Sequence, residues 1–161
     1  MRHAKAEPFA STDHARVLTD RGHSDAAAAG EQLVRLGLVP EAAVVSPAAR
    51  TRETWEDVAR TTEADAEVSF DDAVYHGGVD EALEALHAVP EDATTVVFVG
   101  HNPTAAYLCH HLDDGEGDET AISGMLRGFP PSALVVFDVE VAWAELGAES
   151  GSVVAFHAPS R

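Results

Sequence analysis

The 161-residue chain holds one cysteine, Cys109, so it can form no internal disulfide, and this usage fits a reducing compartment. It holds one lysine, Lys5; the other nine of its 10 basic residues are arginines. Against 28 acidic residues these leave a formal net charge of −18, which disfavours nucleic acid and anionic membrane surfaces as partners. No apolar run reaches the length of a membrane span. The opening residues, Met1-Arg2-His3-Ala4-Lys5, lead into polar sequence and do not read as a secretion signal, so a cytoplasmic location is expected. There is no internal repeat and no linker rich in proline, glycine or serine. With 45% hydrophobic residues, the chain reads as one globular domain over 1–161 that is long enough to bury a core.

Strand-like apolar runs alternate with helical stretches, which predicts an α/β fold with a mainly parallel central sheet flanked by helices in three layers. Helices are expected over 20–36, with Thr19 as the cap and Gly37 as the stop, and over 47–61, 79–88 and 103–111. Strands are expected at 42–45, 67–70 and 94–99, the last β-branched and buried on both faces. Residues 113–131 read as a long acidic loop closed by Pro130-Pro131. Strands over 132–141 and 152–156 are expected to form an antiparallel pair at the sheet edge.

Three clusters carry candidate chemistry. In Arg2-His3, a neutral imidazole is a competent nucleophile near neutral pH, and the neighbouring guanidinium suits phosphate oxygens. Taken alone, the pair reads more readily as a frayed terminus with a chance histidine. The segment Ser46-Pro47-Ala48-Ala49-Arg50-Thr51-Arg52-Glu53-Thr54 falls at a strand-to-helix turn, where open α/β sheets place their ligands and free N–H groups favour an anion. Ser46 suits the helix cap and Pro47 the first helical position. Arg50 faces back to the turn and Arg52 points elsewhere, though an Arg–Glu pair on a solvated face has the same pattern. In Gly100-His101-Asn102-Pro103, His101 follows the buried strand, where its ring can donate to a phosphoryl oxygen, and Asn102 suits a cap. Arg16 and Arg21 are compatible with the rim of an anion site but read more readily as surface charges near a helix start. The remaining histidines show no metal-ligand spacing, and neither a metal nor a cofactor is expected.

In this order and spacing, the clusters resemble the histidine phosphatase superfamily of phosphoglycerate mutase-like proteins. Its motifs match Arg2-His3-Ala4, the segment Ser46–Thr54, Leu18-Thr19-Asp20-Arg21-Gly22 and Gly100-His101-Asn102-Pro103. The short chain and the wording of the last motif are most similar to the SixA branch of phosphohistidine phosphatases. The resemblance implies that His3 becomes phosphorylated and that Arg2, Arg50 and His101 complete the phosphate pocket. It implies a metal-independent phosphatase acting on phosphohistidine in proteins, with a small-molecule phosphomonoesterase on the same fold, or a catalytically inactive phosphate- or phosphoprotein-binding module, as the alternatives. Two departures stand out. The family's first strand precedes Arg-His, and here only Met1 does, so that strand is expected to be truncated. No acid for protonating the leaving group is evident; Asp71 and Asp72 lie in a plausible region with nothing to single them out. A leaving imidazole needs such help less than an alkoxide does.

Overall fold

The structure, a computed structural model, describes residues 1–160. Its elements in chain order are α1 (Asp20–Arg35), β1 (Ala42–Val45), α2 (Ala49–Thr62), β2 (Glu67–Phe70), α3 (Asp72–His76), α4 (Val79–His87), β3 (Val96–Val99), α5 (Thr104–Leu112), α6 (Glu119–Arg127), β4 (Leu134–Val139) and β5 (Gly151–His157), with a 3-10 turn at Trp143–Glu145.

Strands β2, β1 and β3 form a parallel sheet in that order, with Ala42 opposite Glu67 on one side and Val96 on the other. Successive side chains of a strand point to opposite faces. Ala42 and Val44 of β1 and Phe98 of β3 therefore join one core with Leu83, Leu86, Leu108, Leu112 and Met125 from α4, α5 and α6. Ala43 and Val45 of β1, with Val97 and Val99 of β3, join a second core with Leu33 of α1 and Trp55 and Val58 of α2. Each face of the sheet thus carries its own helical layer, giving a three-layer α/β architecture.

Strands β4 and β5 pair antiparallel, with a register shift between Val136 and Phe137. They form a separate two-stranded sheet rather than an edge of the parallel one. The opening residues lie between the two sheets. Arg2 bridges Gly100 in parallel, His3 N–H donates to the Gly100 carbonyl at 3.0 Å, and Arg2 N–H donates to the Ala133 carbonyl at 3.0 Å. The Met1 amine donates to the Phe98 carbonyl at 2.6 Å, and burial lowers its pKa. Residues 1–3 thus link the two sheets, with Arg2 and His3 bonded to Ala133 and Gly100. An apolar cavity of about 270 Å³ is lined by Met1, Phe98, Leu134 and Phe137 among others.

Three local expectations are corrected. Residues 113–131 are not one long loop, because α6 occupies Glu119–Arg127. The Asp118 carboxylate accepts from Ala121 N–H at 2.8 Å, and Ala121 and Met125 turn one face to the core. Gly124, a residue that argues against a helix in isolation, lets α6 approach β5. A Cβ there would stand 2.6 Å from the Phe156 ring. Helix α3 was not expected; the Asp71 side chain caps it by accepting from Ala73 N–H at 2.8 Å. Helices α2 and α5 start at Ala49 and Thr104, so neither Ser46 nor Asn102 is a cap, and both side chains are free for other contacts.

Candidate active site

The site lies at the carboxyl ends of β1 and β3, beside the bridged opening segment. His3 follows the Arg2–Gly100 bridge, Ser46 follows β1, and His101 lies just beyond β3. Residues from two adjacent strands and this segment therefore converge, as expected at the carboxyl ends of an α/β sheet.

Three members of the second motif hold this convergence together. The Thr54 hydroxyl accepts from Ala4 N–H at 3.0 Å and donates to the Arg50 carbonyl at 2.6 Å, tying the His3 segment to α2. The Glu53 carboxylate accepts from Leu18 N–H at 2.6 Å, tying the end of the 7–18 loop to the same helix. Arg50 is the buried guanidinium. It donates to the Asp13 carbonyl at 2.7 Å, to the Asp13 carboxylate at 2.9 Å and to His101 Nδ1 at 3.3 Å. Arg52 does point elsewhere, bonding the Pro47 carbonyl and lying over the Phe70 ring at 4.1 Å. Gly22 of the first helix motif permits a close approach: a Cβ there would stand 2.1 Å from the Lys5 carbonyl oxygen.

His3 Nδ1 lies 2.7 Å from the Ala4 carbonyl oxygen. A carbonyl only accepts, so Nδ1 carries the proton and Nε2 keeps its lone pair. Burial, aided by the charges of Arg50, Arg2 and Arg16, lowers the His3 pKa to about 4 despite the Ala4 bond, so the ring is neutral near pH 7. The His101 ring lies 5.2 Å from that of His3. Its Nδ1 accepts from Arg50, so its Nε2 holds the proton and donates to the Ser46 hydroxyl at 2.7 Å. Burial and the nearby Arg50 and His3 lower its pKa to about 3. Arg2 donates to the Phe129 carbonyl at 2.9 Å, and the buried Nε atoms of Arg2 and Arg50 have no partner.

The four residues expected from the sequence, Arg2, His3, Arg50 and His101, thus line one pocket of about 410 Å³. Asp13, Arg16, Tyr75, His76 and Asn102 line it as well. Arg16 is therefore a pocket residue and not a remote surface charge; it donates to the Asp13 carboxylate at 2.9 Å and to the Glu7 carbonyl at 2.7 Å. Arg21 does point away, to the Ser160 carbonyl at 2.6 Å. Asp71 and Asp72 do not line the pocket, and Asp71 is spent on its cap. The carboxylate in the pocket is Asp13, which also accepts from the Tyr75 hydroxyl at 2.7 Å. Its signal in the sequence was faint: a single acid in an irregular stretch, three residues before Arg16. The apolar cavity beside β3 has no comparable convergence of polar groups and lies in the core.

One pocket of this three-layer α/β domain thus gathers two neutral histidines and three arginines, a set whose charge and donors suit an oxyanion. Residues 1–76 match the histidine phosphatase superfamily (branch 1). An uncharacterized protein of Mycobacterium tuberculosis is 32% identical over 161 residues, with 99% of each chain covered. A structure from Nakamurella multipartitia, provisionally named phosphohistidine phosphatase SixA, is 36% identical with a TM-score of 0.85, covering 100% of this chain and 94% of that one. A structure from Agrobacterium tumefaciens with the same provisional name is 26% identical with a TM-score of 0.80, covering 99% and 95%. The chain belongs to the histidine phosphatase superfamily, and its similarity to SixA-type proteins supports a phosphatase. No helix among the described residues is long and apolar enough to cross a membrane.

Proposed function

We propose that this protein is a phosphatase that works without a metal, through a phosphorylated His3, and acts on phosphohistidine in proteins. The observation that carries the reading is the tautomer of His3. Its Nδ1 proton is held by the Ala4 carbonyl, which leaves the Nε2 lone pair as a nucleophile in a pocket of arginines. Phosphoryl transfer passes through a loose, in-line transition state, and catalysis is mostly positioning and charge stabilisation. Arg2, Arg16 and Arg50 supply that charge in place of a metal ion. Once a phosphate replaces His101 Nδ1 as the acceptor for Arg50, the added negative charge favours uptake of a proton from solvent at Nδ1, through which His101 then donates to a phosphoryl oxygen while Nε2–H stays on the Ser46 hydroxyl. In the second step water attacks phosphorus, and His3 departs as a neutral imidazole.

The leaving group supports the choice of substrate. Asp13, the carboxylate in the pocket, is held ionised by hydrogen bonds from Tyr75, Arg16 and Arg50 and has no proton to give an alkoxide. The similarity to SixA-type proteins favours the same choice. The test is to incubate the protein in EDTA with a protein phosphorylated on histidine and, separately, with p-nitrophenyl phosphate. Turnover of the phosphoprotein, with acid-labile phosphate on His3, is the expected result. Turnover of the ester alone would replace the reading with a small-molecule phosphatase, and unchanged turnover in His3→Ala would remove His3 from the mechanism.

A further inference from the structure

The reading above gives the Asp13 carboxylate no part in the reaction. A pocket that binds a phosphoryl dianion gains nothing from a carboxylate of the same sign, yet three side chains are arranged to keep one there. Arg50 and Arg16 donate to it at 2.9 Å each and Tyr75 at 2.7 Å. Arg50 is buried beneath it, whereas the Asp13 side chain is 55% exposed. His3 is more deeply set than Asp13, which stands at the exposed rim of the same pocket, so a leaving group that departs toward solvent passes the carboxylate.

We propose that the Asp13 carboxylate accepts the N–H of the leaving imidazole at the ring nitrogen remote from phosphorus, and so selects phosphohistidine over phosphate esters. This rests on the phosphatase reading and assigns its substrate class to one residue: a phosphorylated imidazole protonated on its second nitrogen.

The chemistry balances. The His3 Nε2 lone pair forms the new N–P bond while the P–N bond of the substrate breaks. The electron pair of that bond returns to the substrate ring and cancels its positive charge. The remote proton stays where it is, bonded to Asp13, and the ring departs as neutral imidazole rather than as an imidazolate. His3 undergoes the reverse change, becoming a phosphorylated ring that is positive and still protonated at Nδ1. The Ala4 carbonyl bonds that proton at 2.7 Å. Enzyme and substrate rings are then treated alike, each with its far N–H on a fixed oxygen. An ester oxygen carries no such proton, and its developing negative charge would face the carboxylate. Ionisation also suits Asp13 to accept: its pKa lies well below the usual carboxylate range, owing first to the Tyr75 hydrogen bond and then to Arg16 and Arg50.

The test compares the full chain with Asp13→Asn on a histidine-phosphorylated peptide and on p-nitrophenyl phosphate. The amide keeps the shape and loses the charge. The readout is the ratio of the two kcat/KM values, which cancels any loss of Arg50 positioning common to both substrates. A charge-assisted hydrogen bond implies a fall in that ratio of about tenfold or more. An unchanged or rising ratio, with thermal unfolding showing both proteins folded, would overturn the role of Asp13 and leave the phosphatase reading standing. Hydrolysis of the ester but not the phosphopeptide by the unaltered protein would overturn both the substrate reading and this inference.

Discussion

Acidifying the protein from pH 7.5 to 5.5 tests the central feature of the site, a histidine kept neutral by its surroundings. Burial is the largest cause of the low His3 pKa, the Ala4 hydrogen bond opposes it, and the charges of Arg50, Arg2 and Arg16 add to it. The fall from 6.5 to about 4 corresponds to about 3 kcal/mol of preference for the neutral ring, an upper value for a group that is not wholly buried. At pH 6 an ordinary histidine is about three-quarters protonated, whereas His3 would be about 1% protonated. Phosphorylation of His3 by a small phosphoramidate, followed in single turnover with correction for the donor's own ionisation, should therefore stay flat down to pH 5.5. The His3 ring resonances in NMR should move only below pH 5. A roughly fourfold loss of rate at pH 6, with a midpoint near 6.5, would refute the argument that burial and the arginines set this ring's charge. Stability has a matching signature. The folded values of His3 and His101 lie below the unfolded one, so the unfolded chain takes up protons first. These two residues leave stability unchanged above pH 6.5 and lower it as the pH falls through 6.5 toward about 4 and 3.

Two substitutions follow from other contacts. Ser46→Ala removes the partner of His101 Nε2 and leaves a buried ring nitrogen unpaired. It should lower kcat about tenfold with a smaller change in KM, read by steady-state kinetics, because the lost bond orients a donor to the transition state. An effect on KM alone would place Ser46 outside the reaction. Gly22→Ala drives a Cβ to 2.1 Å from the Lys5 carbonyl, which also accepts from Thr19 N–H at 2.9 Å. It should destabilise by about 1–3 kcal/mol in denaturant unfolding and weaken phosphate binding as the His3 segment shifts. A variant as stable as the parent would mean that the segment moves freely.

Much of the framework was legible in the chain because it depends on near neighbours. Thr19 caps α1 and Gly37 ends it with φ of +71°, as local chemistry requires. The buried run Ala42–Val45 and the β-branched Val96–Val99 give the parallel strands because apolar residues on both faces leave no solvent side. Arg2, His3 and His101 were visible beside strand ends and Arg50 at the start of α2, each within a short motif.

The tertiary structure alone decided the rest. Asp13 and Tyr75 meet across 62 positions, one on an irregular loop and the other on a five-residue helix, and neither segment has a period that betrays its neighbours. Arg2 reaches Phe129 across 127 positions. Glu53 and Thr54 look like ordinary residues of a solvated helix until Leu18 and Ala4 are brought against them. Local sequence fixes backbone preference and strand-end placement. The protonation states of the two histidines, and the carboxylate set among the arginines, depend on burial and on charges brought close only when distant segments pack, because both effects fall off over a few ångströms.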